Sequence, residues 1–244
     1  MPTIKEYYPL LLPGRFFHVF NRGNNGDNLF YRRENYDYFL RKYYQYLSPV
    51  LDTYCYCLLP NHFHLLVKIK EERAVLEHRD SISRRDSISW RDSIASEDMS
   101  LSDGIPTPDD GIPTPEELAA RWASELFRRF FLGYSQAIRK QQGRCGSLFQ
   151  KNFKRLEVNN DTYFINLILY IHVNPQLHGI WRDFRDYPHS SYEMFSHDFD
   201  TPIQRREVLD LFGSYKVFEH AHLGRVNFKV IEPVVIEEDG FVQY

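Results

Sequence analysis

Apolar positions recur along this chain at two spacings, and the switches between them mark out its elements. Residues 15–23, RFFHVFNRG, set Phe16, His18 and Phe20 against Phe17 and Val19, a period of two that predicts a strand. NRGNNGDN then supplies turn chemistry. In 34–47 the spacing changes, and Phe39, Leu40, Tyr43 and Leu47 fall on one helical face. TYCYCLL at 53–59 is β-prone, Pro60-Asn61 turns the chain, and HFHLLVKI at 62–69 returns as a second strand, so the pair reads as a hairpin.

Further on, Thr114-Pro115-Glu116-Glu117 is a capping box with proline at the first helical position. The helix it opens should run to about Gln142 and stop at Gly143. Its apolar face comprises Leu118, Trp122, Phe127, Phe130, Phe131, Tyr134 and Ile138. SLFQKNFKRLEV at 147–158 is a basic strand candidate. Residues 161–174 form a helix with a buried stripe of Phe164, Leu167, Ile168 and Ile171, ended by Pro175. Val208, Leu209, Leu211 and Phe212 suggest a short packed helix in the tail. This order predicts an α+β fold, an antiparallel sheet with helices packed on it, in preference to βαβ winding.

Residues 71–113 break the pattern. RDSI recurs at 79–82, 85–88 and 91–94, and DGIPTP at 103–108 and 110–115. These periods are too short for a solenoid, and the polar, acidic composition predicts a flexible inserted loop without catalytic chemistry. The expected organisation is a core over 1–195, interrupted by 71–113, and a C-terminal accessory extension over 196–244.

Composition changes the picture in three ways. A hydrophobic content of 43% with 16% aromatics is enough for a packed core. Three cysteines, an odd and small set, favour a reduced compartment over a disulfide scaffold. No apolar run approaches the roughly 20 residues of a membrane span, and no secretory signal is visible, so the expected location is cytoplasmic with no membrane partner. The net charge of −3 conceals a segregation. Residues 1–70 and 121–160 hold 18 Lys+Arg against 7 Asp+Glu. Residues 71–120 hold 5 against 13, and 161–244 hold 7 against 13. A phosphate-rich partner suits the basic part.

The candidate chemistry begins with His62 and His64. Two apart on a strand, they share a face with Leu66 and Lys68, while Phe63, Leu65, Val67 and Ile69 point into the core. Two imidazoles so placed can present nitrogen to one metal ion; two ordinary hydrogen-bonded histidines near a turn fit the spacing as well. Cys55 and Cys57 share a face of the neighbouring strand, which raises a Cys2His2 zinc site as a rival. Zinc sites usually space cysteines by two or more residues along a turn, so small core packing suits this pair better. On the later helix, Tyr170 and Asn174 lie about 40° apart on one flank, with Tyr163 seven residues earlier on the same flank.

LLPNHFHLL followed by a helix carrying LYIHVNP resembles the small single-tyrosine transposases, and among them the REP-associated tyrosine transposases of bacteria. HVFNRG (18–23), LFQKNFK (148–154) and DYPHSSY (186–192) add to the likeness, which covers about 12–195 without the insertion. The insertion, QLHG after the Asn-Pro where a basic residue is usual, and the tail after about 200 depart from it. The resemblance implies a ferredoxin-like HUH (His-hydrophobic-His) endonuclease core in a nucleoid-associated bacterial protein. It implies Tyr170 as nucleophile, and His62, His64 and Asn174 as ligands of Mg²⁺ or Mn²⁺. It also implies single-stranded DNA with a hairpin as substrate, cleaved through a covalent 5′-phosphotyrosine link, with a monomer and a homodimer equally open. Arg15, Arg22, Lys68, Lys151, Lys154 and Arg155 are the candidate DNA-binding cations. Two alternatives stay open: a hairpin-binding protein that no longer cleaves, and a metal-dependent nuclease that uses water, with Tyr170 structural.

Overall fold

The computed structural model describes residues 8–86, 113–224 and 226–227. β1 (Phe16–Arg22) leads through a 3₁₀ turn at Asn24–Gly26 to α1 (Arg33–Leu47), then to β2 (Leu51–Leu59) and β3 (His62–Ile69). α2 (Glu72–Asp86) and α3 (Pro115–Gln142) follow, then β4 (Lys154–Val158) and α4 (Asp161–Leu177). Two further 3₁₀ turns, at Phe184–Asp186 and Tyr192–Phe195, precede α5 (Arg205–Phe212) and α6 (Tyr215–Leu223).

The sheet order is β2-β3-β1-β4 with every pairing antiparallel. β1-α1-β2 is thus a split crossover with β3 lying between its two strands, and β4 adds beside β1. This is the ferredoxin-like strand order, and the expected α+β class holds. One face of the sheet packs on α1 and α3, through Phe39 against Phe63 and Phe130, and Phe63 against Phe131. The other face packs on α4, through Phe164 against Phe16 and Tyr54.

Local chemistry sets the boundaries. Thr114 Oγ1 accepts from the Glu117 N–H while the Glu117 carboxylate accepts from the Thr114 N–H, so α3 starts where its capping box lies. It stops at Gly143, whose φ of +60° is left-handed.

Three expectations need correction. Residues 72–86 of the predicted loop are the helix α2: Val75 is buried and the Trp122 indole N–H of α3 donates to His78 Nδ1 at 3.2 Å. A polar helix survives there because one apolar stripe meets α3; the rest of the segment, 87–112, lies outside the described residues. Pro175 does not end α4, which continues to Leu177. So close to the C-terminus proline forfeits only one backbone bond, and its carbonyl accepts from the N–H groups of Ile180 and Trp181. Finally, α4 is buried on nearly every side, not along one stripe. The segment from Phe184 onward covers its outer face, with Phe195 stacked on Phe218 at 4.6 Å, and lines the edge of β2 through backbone bonds at His189, Ser191 and Gln204. Among the described residues no helix is long and apolar enough to cross a membrane.

Candidate active site

The site lies where β3 begins, β1 ends and β4 begins, beneath the C-terminal half of α4. Its geometry starts at the Pro60-Asn61 turn. The Leu29 and Phe30 N–H groups both donate to the Pro60 carbonyl, and the Gly23 N–H donates to the Asn61 carbonyl at 2.7 Å. Gly23 cannot carry a side chain, since a Cβ would stand 1.8 Å from the Asp27 carbonyl oxygen. The exit of β1 is therefore locked to the hairpin tip, and this lock fixes where His62 emerges.

His62 Nδ1 lies 2.7 Å from Asn61 Oδ1, an acceptor, so the proton sits on Nδ1 and Nε2 carries the lone pair. Nε2 in turn lies 3.3 Å from Asn174 Oδ1. Two acceptors facing each other repel unless a cation or a proton comes between them, or the amide turns to donate. Asn174 Nδ2 is buried with no hydrogen-bond partner. His64 meets His62 with ring centroids 5.3 Å apart, and the Tyr170 ring meets His64 edge-on at 5.6 Å. His62, His64, Tyr170 and Asn174 therefore come together, although 112 residues separate His62 from Asn174.

This donor set, an imidazole lone pair and an amide oxygen with a second imidazole alongside, suits a divalent cation that keeps open positions. Among the described residues no three His, Cys, Asp or Glu side chains are placed to hold a metal. Any ion here would therefore rest on two histidines and an amide. Cys55 and Cys57 are fully buried, and burial pushes the Cys55 thiol up, away from the thiolate that zinc requires.

Sequence reasoning missed three supporting groups. His18 Nε2 lies 2.9 Å from His64 Nδ1, so any metal contact by His64 falls to Nε2. Asn61 orients His62, and the His178 ring stands 5.1 Å from that of His62. The β1 alternation already put His18 on one face with Phe20, but the pairing of Phe20 with His64 was needed to show that this is the histidine face.

The strand face that His62 and His64 share is expected to open on a cleft, and the structure encloses most of it. His64 is 1% exposed, Tyr170 2% and Asn174 0%, and only His62 is partly open, because these groups lie between α4 and the sheet.

The six candidate cations separate into groups. Arg22 pairs with His62, and Lys154 with Phe20 beside His64, so both project from the histidine face. Burial, and then the Arg22 charge, lowers the Lys154 pKa, and a bound anion would relieve the second of these. Lys151 is exposed on the approach to β4. Lys68 and Arg15 lie at the opposite end of the strands, roughly 20 Å away. There Lys68 sits over the Phe16 ring and Arg15 lies 3.8 Å from Glu157. Arg155 faces the other side of the sheet at 4% exposure, and its guanidinium donates to the Pro9 and Tyr8 carbonyls. It is a structural clamp on the N-terminal segment and leaves the set of candidate DNA contacts.

No protein-family model matches this chain, and no curated protein matches it. A solved structure that is similar is described as "Structure of the REP associates tyrosine transposase bound to a REP hairpin". The likeness covers 80% of this chain and 86% of that one at 16% identity, with a TM-score of 0.47. The functional reading rests on the residues themselves.

Proposed function

We propose that the protein is a metal-dependent single-stranded DNA endonuclease and strand transferase that cleaves at hairpin-associated sites through a covalent 5′-phosphotyrosine link. The observation that carries this reading is the convergence of His62, His64 and Asn174 beside Tyr170. Tyrosine has a reference pKa near 10 and is a weak nucleophile at neutral pH, so it needs a phosphate whose charge is offset and whose position is fixed. Arg22 and Lys154 offset phosphate charge on the same face. His62, His64 and Asn174 would hold Mg²⁺ or Mn²⁺, which supplies charge stabilisation at a non-bridging oxygen. Asn61 fixes the tautomer of His62, and the contact of His18 with Nδ1 of His64 turns Nε2 of His64 toward the ion's position. The Tyr170 hydroxyl oxygen bonds to phosphorus and gives up its proton, the bond from phosphorus to the 3′ oxygen breaks, and that oxygen takes up a proton and leaves as a hydroxyl, so no net proton is consumed. The energy of the broken ester is kept in the new one, so rejoining needs no nucleotide cofactor.

The burial of Tyr170 favours a second reading, a hairpin-binding protein that does not cleave; under the first, the ring must turn away from His64 to meet the strand. Incubating the protein with a single-stranded hairpin oligonucleotide and Mn²⁺, then denaturing, tests both. The proposal predicts a denaturant-resistant protein–DNA band that EDTA abolishes. Cleaved DNA without such a band would support a water-using nuclease, and uncleaved DNA that shifts only on a parallel native gel would support the binding protein.

A further inference from the structure

We infer that His222 and Ser191, from the segment after α4, are positioning residues of the catalytic site, acting through His172 on the back of the helix that carries Tyr170 and Asn174. At 100° per residue His172 lies about 160° from both Tyr170 and Asn174, so it faces away from the site. It is fully buried, and both its nitrogens are engaged. His222 Nδ1 lies 2.8 Å from the Phe218 carbonyl, which can only accept, so His222 carries its proton there. His222 Nε2 then accepts from His172 Nδ1 at 2.8 Å. His172 Nε2, left as an acceptor, lies 3.0 Å from the Ser191 hydroxyl, whose proton is shared between it and the Tyr56 carbonyl at 3.2 Å. Each tautomer follows from the one before it.

The chain ends on the sheet. Ser191 Oγ accepts from the Tyr56 N–H at 2.9 Å, and the Ser191 N–H donates to the Tyr56 carbonyl at 3.0 Å. Tyr56 is in β2, whose next residue, Cys57, pairs with His64, and Leu59 pairs with His62. One continuous set of hydrogen bonds therefore runs from α6 through α4 to the strand beside the histidines. It fixes the rotation of α4 relative to β3, and so the spacing of Asn174 and Tyr170 from His62 and His64. A helix rotation of about 10° would carry an atom roughly 6 Å from the axis by about 1 Å. Misplacement on that scale costs on the order of 10²-fold in rate. The predicted C-terminal accessory extension thus contributes directly to the geometry of the site.

The inference rests on the proposed cleavage chemistry, and the test separates the two. His222→Phe keeps the ring and removes both nitrogens; His222→Gln restores an acceptor near Nε2. For each, the rate of covalent adduct formation at saturating hairpin DNA, the affinity for that DNA, and hydrogen exchange across 167–177 are measured in the full chain. The expected result is an adduct rate lowered about 10- to 100-fold in His222→Phe, DNA affinity within about twofold, faster exchange confined to 167–177, and recovery of both readouts in His222→Gln. A native adduct rate in His222→Phe overturns the inference and leaves the function standing. So does a lowered rate that Gln does not restore. If the native protein forms no adduct, the function reading fails; unchanged exchange in His222→Phe then also overturns the positioning role, and faster exchange restored by Gln upholds it.

Discussion

His18→Phe isolates the support of His64 from the proposed metal ligands themselves. The substitution keeps an aromatic ring of similar size, so the stack of His18 on Phe20, with centroids 4.6 Å apart, survives. What disappears is the 2.9 Å bond to His64 Nδ1, in a place where neither residue is more than 1% exposed. Leaving a buried polar group unsatisfied costs about 1–3 kcal/mol. With a urea dependence of roughly 3 kcal/mol/M, a loss of about 2 kcal/mol moves the unfolding midpoint down by about 0.7 M. His64 also loses the contact that orients its ring, and such outer partners are worth about 10- to 100-fold in metal affinity. Urea unfolding followed by circular dichroism gives the first quantity, and electron paramagnetic resonance of free Mn²⁺ the second. A variant with the native midpoint and native Mn²⁺ affinity would refute the claim that His18 supports the site.

Other consequences follow from the same packing. Burial lowers the His222 pKa from 6.5 to about 4 and, with the His222 charge, holds that of His172 well below the usual histidine value, with His172 and Tyr192 the titratable groups facing His222. The unfolded chain therefore binds more protons below pH 6.5, and stability should fall by about 3 kcal/mol between pH 6.5 and 4 from His222 alone; urea midpoints across that range check it, and a flat profile counts against a neutral buried pair. Arg155→Ala should destabilise by about 2 kcal/mol through the lost bonds to Pro9 and Tyr8. It should leave the salt dependence of DNA affinity alone, whereas Lys154→Ala should reduce that slope by about 0.7; salt titrations of binding distinguish them. Removing residues 90–105 should change stability by no more than about 1 kcal/mol, while Val75→Asp, at the buried position of α2, should lower the melting temperature clearly; equal effects would show that the division at Asp86 is wrong.

Much of the fold was legible because local signals agreed with the packing. The alternation at 16–22, the turn at Pro60-Asn61 and the capping box at Thr114 each place an element to within two residues. Parity on a strand put His62 with His64 and spacing on a helix put Tyr170 with Asn174, but only the structure shows that the two pairs meet. What was illegible depended on contacts distant in sequence. α2 reads as loop until α3 supplies its apolar partner. The even burial of α4 needs the tail that covers its outer face, which is why its periodicity reads as a single buried stripe. Arg155 differs from Lys154 only in parity, and the structure decides that parity through the pairing of Phe20 with Lys154. His18 and His172 were hidden because a histidine's role is set by what its second nitrogen meets.

The central claim is that Tyr170 is the nucleophile held beside a metal set of His62, His64 and Asn174. Mass-spectrometric mapping of the peptide linked to a hairpin oligonucleotide after reaction with Mn²⁺ tests it most directly. Tyr163 is the internal control: it lies on the same helix, one heptad or about 10 Å from Tyr170. The account predicts that the nucleotide mass is carried on Tyr170, that Tyr170→Phe abolishes the link while still binding the hairpin, and that Tyr163→Phe still forms it. A link mapped to Tyr163, or one that persists in Tyr170→Phe, would contradict the account.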